Sequence, residues 1–316
     1  MNPGSSPVLR FADVRKRFGA RQALGGLSLE VPRGAFFGLI GPNGAGKTTA
    51  FSLACGFLRP DAGEVEILGG LGFHPMRLKG RLTAMPQDAA LGRETRCLEH
   101  LVFFGRLQGL EASTVRRQAE QVLDDVGLGD RKRAKVKTLS HGMLRRLAVA
   151  QALLGDPELV LLDEPTSGLD PRHAHELREL LRRAHGAGRT LVVSSHNLPE
   201  LESLCDHVAF IDRGVVVTAG RTDTVTGRGQ EIEIDLGDGP APIDALRRAL
   251  PEETISWAED QRLVRVIFRP AAHRQAEEVI GAALRALLAE GARIAGVRRG
   301  TSLERKFLQM QAGDAK

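Results

Sequence analysis

Nine consecutive residues constrain this chain more than anything else in it: Gly41-Pro42-Asn43-Gly44-Ala45-Gly46-Lys47-Thr48-Thr49. They follow an apolar run at 35–40 and open a helix-like run from Lys47 to about Gly56, matching the pattern G-x-x-x-x-G-K-[ST] throughout. Each part has a chemical use. The glycines let backbone N–H groups close around phosphate oxygens with no side chain in the way. The helix points its partial positive end at the same oxygens. Lys47 reaches the β- and γ-phosphates, and Thr48 offers a hydroxyl to Mg2+. All nine residues are therefore candidate nucleotide-binding positions. Such a loop does not by itself separate kinases, GTPases and transport ATPases.

A second constellation narrows the choice. Leu159-Val160-Leu161-Leu162-Asp163-Glu164 is an aliphatic strand ending in two acids, followed by Pro165. A buried parallel strand delivers its last residues to the carboxyl edge of the sheet, where ligands bind in open α/β folds. Asp163 is placed to hold Mg2+, directly or through water, and Glu164 to polarise an attacking water as general base.

Composition sets outer bounds. With 316 residues, 42% apolar and 26% charged, the chain reads as an ordinary globular protein of one large and one small domain. The net charge of +5 is spread, because Arg and Glu are interspersed. The densest basic run, Arg131, Lys132, Arg133, Lys135 and Lys137, is expected to be a solvated loop, and no nucleic-acid partner is expected. Three cysteines, Cys55, Cys97 and Cys205, have no metal-ligand spacing and fit a reduced, cytosolic protein. Residues 1–10 lack the apolar core of a signal peptide, and no apolar stretch approaches the roughly 18 residues of a membrane helix.

Along the chain, residues 8–14 read as an edge strand, 27–31 and 35–40 as further strands, and 64–68 and 81–85 as short ones. Residues 95–154 turn helical, with apolar residues three and four apart. Strands return at 159–162 and 190–194, separated by a helix at 173–185, and a hairpin follows at 208–211 and 215–218. The Gly- and Thr-rich stretch 220–229 reads as a linker. Beyond it the order is β-α-β-β-α-β with a helix appended, the pattern of a split βαβ, ferredoxin-like module.

The spacing of further residues resembles the ATP-binding-cassette (ABC) ATPase family over about residues 8–220. Leu139-Ser140-His141-Gly142-Met143 stands where that family carries its signature. His141 replaces a glycine and Met143 a glutamine of the commonest form, as in many bacterial exporter-type members. The resemblance implies that Ser140 and Gly142 bind the γ-phosphate held by an opposite subunit. It places Gln87 in the Gln loop, touching Mg2+ and water, Ser167-Gly168-Leu169-Asp170 in the D-loop, His196 as the switch histidine, and Phe18 against adenine. Catalytic roles thus fall on Glu164, His196 and Gln87. Metal ligation falls on Thr48, Gln87 and Asp163, and nucleotide contacts on residues 41–49, Phe18, Ser140 and Gly142.

The expected fold is α/β: a P-loop NTPase ABC cassette over 1–222, with a RecA-like core and a helical insert at about 95–154. A linker at 223–229 and a small C-terminal α+β, ferredoxin-like domain at 230–316 complete it. The implied protein is a Mg-dependent ATPase with ATP and Mg2+ as cofactors. It would work as a homodimer docked through the insert on a separate transmembrane permease, peripheral to the cytoplasmic face of the cell membrane. The tail Thr301-Ser302-Leu303-Glu304…Phe307-Leu308 resembles that of drug- and polysaccharide-export ATPases, so export is expected over import. An ABC ATPase acting on DNA would need a long coiled coil, and no sustained heptad run occurs. Ribosome-associated members usually hold two cassettes in one chain.

Overall fold

A computed structural model describes residues 6–89, 91–227, 230–268 and 276–313, with side chains of the last helix to residue 308. The chain forms two compact units that divide between Ala219 and Gly220.

The first unit opens with β1 (Leu9–Phe18), β2 (Arg21–Val31) and β3 (Phe36–Ile40), then helix α1 (Lys47–Ala54). β4 (Ala62–Ile67), β5 (Gly70–Leu71), a single turn of helix α2 (Pro75–Leu78) and β6 (Leu82–Met85) follow. Next come the helices α3 (Cys97–Gln108), α4 (Ala112–Asp125) and α5 (His141–Leu153). The unit closes with β7 (Leu159–Asp163), α6 (Pro171–Gly186), β8 (Thr190–Ser194), α7 (Leu198–Leu204), β9 (His207–Asp212) and β10 (Val215–Arg221).

These strands make two sheets, ordered β2-β1-β4-β5 and β10-β9-β3-β8-β7-β6. β3 pairs in parallel with β8 and β9, and β7 in parallel with β6 and β8. β3, β7 and β8 are buried at every position, which explains their uninterrupted apolar runs. Because Leu161 is fully buried at the centre of β7, Leu161→Ala is expected to lower the unfolding free energy by about 2–5 kcal/mol. A denaturant titration showing under about 1 kcal/mol would contradict that packing.

The structure corrects two expectations. Residues 8–14 do not form an edge strand, because β1 is paired on one side by β2 and on the other by β4, both antiparallel. Alternation reports which face is buried and says nothing about how many neighbours a strand has. Within 220–229, residues Thr222–Val225 form a helical turn, α8, where a linker was expected. The Thr226 hydroxyl donates to the Thr222 carbonyl at 2.7 Å, and Thr226 is fully buried. Residues 228 and 229 lie outside the described residues.

α3 and α4 pack on one another, and α5 carries them to the core sheet through β6 and β7. The buried Arg146 of α5 caps the end of α4 by donating to the carbonyls of Val126 and Gly127. His100 of α3 meets Gln151 of α5 at 2.8 Å. The basic loop is ion-paired: Lys132 to Asp124, Lys135 and Lys137 to Glu94, and Arg131 to Asp130. All three cysteines are buried.

The second unit continues with β11 (Glu231–Leu236), α9 (Ile243–Ala249), β12 (Thr254–Ala258), β13 (Leu263–Ile267), α10 (Ala276–Ala289), β14 (Ile294–Arg299) and α11 (Leu303–Gly313). Its antiparallel sheet runs β12-β13-β11-β14, with β13 inserted between β11 and β12, the split βαβ order. Ile232, Ile234, Val264 and Val266 pack with α9 and α10 into one core. The fully buried Glu233 is held by Arg265 at 3.1 Å and Arg305 at 2.8 Å. Among the described residues, no helix is long and apolar enough to cross a membrane.

Candidate nucleotide site

The loop between β3 and α1 has a shape that its glycines make possible. A Cβ on Gly41 would lie 2.3 Å from the carbonyl oxygen of Ile211. Gly46 has φ of 110°, and a Cβ there would sit 2.7 Å from Leu24 and 2.8 Å from the Ala23 carbonyl. The loop is buttressed by Ala45, whose N–H donates to Pro42 O at 3.1 Å and whose carbonyl accepts from Gly214 N at 2.9 Å. Helix α1 begins at Lys47 with no side-chain cap and no acid in its first turn. Its first amides are thus open to an anion.

Lys47 is 8% exposed and donates from Nζ to Gly41 O at 2.7 Å and Pro42 O at 3.2 Å. Burial pulls its pKa below the usual lysine value, against the attraction of Glu164 and Asp163. Asp163 is 2% exposed at the end of β7. It accepts the Thr48 hydroxyl at 3.0 Å and the Ser194 hydroxyl on its other oxygen. Two hard oxygens, Thr48 Oγ1 and Asp163 Oδ2, thus stand together beside the phosphate loop and fit a divalent cation. Among the described residues no group of three or more His, Cys, Asp or Glu could hold a metal. Gln87 lines the same cavity, and phosphate oxygens and water would supply the other ligands.

Glu164 adopts φ of 54°, the left-handed region, at a cost on the order of 1–3 kcal/mol for a non-glycine residue. Its N–H donates to Ser194 O at 3.1 Å and Ser194 Oγ at 3.2 Å, which holds the conformation. His196 Nδ1 lies 2.9 Å from Glu164 Oε2 without hydrogen-bond alignment. That oxygen is buried and has no hydrogen bond among the described residues. Phe18 is 48% exposed, with Lys16 Nζ 5.9 Å from its ring centroid.

These groups line one open cavity of about 600 Å3: Phe18, Asn43, Gly44, Gly46, Lys47, Thr48, Thr49, Gln87, Asp163, Glu164 and His196. Another cavity, of about 450 Å3, lies between α4 and α6 and holds none of them. The site chemistry lies in the larger one.

Residues 24–167 match the family described as ABC transporter. The daunorubicin resistance ATP-binding protein DrrA3 of Streptomyces coeruleorubidus is 35% identical over 306 residues, 95% of each chain. This chain belongs to the ATP-binding proteins of ABC transporters. Nod factor export ATP-binding protein I of Ralstonia nicotianae is 40% identical over 219 residues, 69% of this chain and 68% of that protein. A solved ATP-binding subunit of an ABC transporter matches with a TM-score of 0.64 at 27% identity, covering 69% of this chain and 91% of the other.

Not every expected residue joins this ABC cassette's cavity. Gly41, Pro42 and Ala45 of the loop do not line it, and neither do Ser140 and Gly142. Ser140 is instead the N-cap of α5, accepting from Met143 N at 3.3 Å. His141 packs against Gly168: a Cβ there would lie 3.0 Å from its ring. Conversely, the site draws on two residues that the motifs did not name, Arg21 in the cavity wall and Ser194 behind it. Arg21 reaches across the loop, its guanidinium 2.9 Å from where a Gly44 Cβ would be. Ser194 holds both Asp163 and Glu164. A polar residue ending a buried strand beside His196 was a signal for Ser194. Nothing local marked Arg21, whose place depends on how β2 lies over the loop.

Proposed function

We infer that this ABC ATP-binding subunit binds and hydrolyses MgATP between two copies of itself and drives export through a separate membrane-spanning permease. One observation carries the reading. The cavity collects Lys47, Thr48, Asp163, Glu164, Gln87 and His196 in one place. The cage around the terminal phosphate is completed by Ser140 and Gly142 of a second copy, whose α5 brings a hydroxyl, a backbone amide and a helix N-terminus to the anion.

In this scheme Lys47 and the backbone amides of the loop after Pro42 bind the phosphates, Phe18 stacks on adenine, and Thr48, Asp163 and Gln87 would hold Mg2+. The metal, when bound, neutralises phosphate charge. Glu164 accepts the proton of the attacking water through its uncommitted Oε2, and His196 orients the terminal phosphate. Loss of the shared ligand lets the copies part. Arg21 adds a second cation to the phosphate side: Arg21→Ala is expected to weaken ATP affinity about tenfold, and unchanged affinity in a calorimetric titration would remove that role.

The named relatives are an export ATP-binding protein and a drug-resistance ATP-binding protein, which favours export. The docking face falls beside α3. Phe73, Met76 and Leu107 are exposed there, Met76 to 75%, around a groove of about 340 Å3 that suits an apolar-faced helix of the permease. The unit stays peripheral at the cytoplasmic face of the membrane, and residues 1–222 act as the ATPase domain, with 230–316 as an accessory to the dimer. Met76→Asp with Leu107→Asp is expected to abolish permease binding while ATP affinity holds.

The test is affinity purification of the Glu164→Gln variant in ATP from native membranes. A polytopic membrane protein is the expected companion. Ribosomes or nucleic acid in its place would overturn the transport reading.

A further inference from the structure

Glu200 is a buried carboxylate that the scheme above does not use. It stands in the first turn of α7 and is 7% exposed. Burial, ahead of every other influence, pushes its pKa above the ordinary glutamate value. A glutamate three residues after an Asn N-cap ordinarily reaches back to the N-cap amide. Here the Asn197 amide donates to Ser195 Oγ at 3.0 Å, so that partner is taken. Glu200 Oε2 turns away and accepts the Thr166 hydroxyl at 2.8 Å.

That bond joins two loops far apart in the chain. Thr166 belongs to the turn that begins at Glu164, closed by Ser167 N donating to Glu164 O at 3.2 Å. Glu200 belongs to the helix that starts directly after His196. The turn carries a left-handed residue, so it keeps its shape only where neighbours over-determine it. Ser194 holds its upstream side through the Glu164 amide. Glu200 holds its downstream side. A hydrogen bond to a buried carboxylate is short-ranged, dry and poorly screened, which makes it a stiff tether.

We propose that Glu200 is a positioning residue for hydrolysis: it locks the turn at residues 164–166 onto α7, so that the Glu164 carboxylate and the His196 imidazole keep one mutual geometry. The proposal rests on Glu164 acting as general base. Glu200 touches no reacting atom in this arrangement; it acts through Thr166. Its effect therefore falls on the rate of the chemical step and spares nucleotide affinity.

The experiment uses the full chain with Glu200→Ala, Glu200→Gln, Thr166→Val, the Glu200→Ala/Thr166→Val double variant, and Glu164→Gln alongside. Single-turnover hydrolysis and ATP affinity are measured separately. Glu200→Ala and Thr166→Val are expected to slow hydrolysis about 10- to 100-fold with ATP affinity within about threefold of the parent. The double variant should be no slower than either single, because both remove the same bond. Glu200→Gln should retain most of the rate, since its amide oxygen still accepts the Thr166 proton. Parental rates in Glu200→Ala and Thr166→Val, losses that add in the double, or an equal loss of ATP affinity would each overturn the proposal. Should Glu200→Ala not fold, Thr166→Val decides alone, as it keeps the volume and removes the donor. Parental hydrolysis in Glu164→Gln would instead refute the general-base reading. A dead Glu164→Gln beside parental Glu200→Ala and Thr166→Val would refute the positioning role alone.

Discussion

Lys47→Ala is expected to raise the dissociation constant for ATP roughly 100-fold or more, enough to abolish binding at ordinary concentrations. The size follows from the charges around the cavity. Asp163 and Glu164 bring two carboxylates to the same space, and the Lys47 ammonium is the buried cation that offsets them. Without it a polyanion would enter against two negative groups at low dielectric. The ammonium is also preorganised: the carbonyls of Gly41 and Pro42 hold it at the loop while its burial keeps it poorly hydrated. Those bonds are exchanged for phosphate oxygens at little cost in side-chain entropy. Equilibrium titration with a fluorescent ATP analogue measures the effect. Parental affinity in the variant would refute the assignment of the phosphate loop.

Glu164→Gln should behave in the opposite way, leaving ATP affinity intact and slowing hydrolysis about 100- to 10,000-fold. The substitution preserves side-chain volume, and the two bonds that hold position 164 come from its backbone amide to Ser194, which the change does not touch. What disappears is the basicity of a buried oxygen that has no hydrogen bond among the described residues. An enzyme that binds ATP and cannot cleave it should accumulate as the ATP-bound dimer, visible by light scattering. A variant that stays monomeric in saturating ATP would sink the scheme of two copies sharing nucleotide, whatever its rate.

Local clusters and element order were legible where short-range spacing carried the information. The glycines and Lys47 of the phosphate loop, and the acids closing the aliphatic run of β7, are defined within a few residues of one another. The order of elements in the C-terminal unit followed from period-2 and period-3.6 patterns, and its sheet has the split βαβ order. Reading failed where the answer depended on contacts across the chain. β1 alternates as an edge strand would, yet it has a neighbour on each side. The Gly- and Thr-rich segment after Ala219 looked like a linker, but Thr222 and Thr226 are buried and the Thr226 hydroxyl donates to the Thr222 carbonyl. Arg21 and Glu200 had no local mark at all.

By itself the sequence determined the class of chemistry: a glycine-lined loop before a helix can cradle phosphate, and a strand ending in Asp163 and Glu164 can serve a cation and a water. Those properties reside in neighbouring residues and in the limited conformations their backbones allow. Only the tertiary structure decided which distant residues share the cavity. The sheet order β10-β9-β3-β8-β7-β6 sets the ends of β3, β7 and β8 side by side, which gathers Lys47, Asp163, Glu164 and His196. The same fold leaves Ser140 and Gly142 outside that cavity and turns Glu200 toward Thr166. Distances between segments far apart in the chain are set by strand order and packing, and hydrophobic periodicity encodes neither.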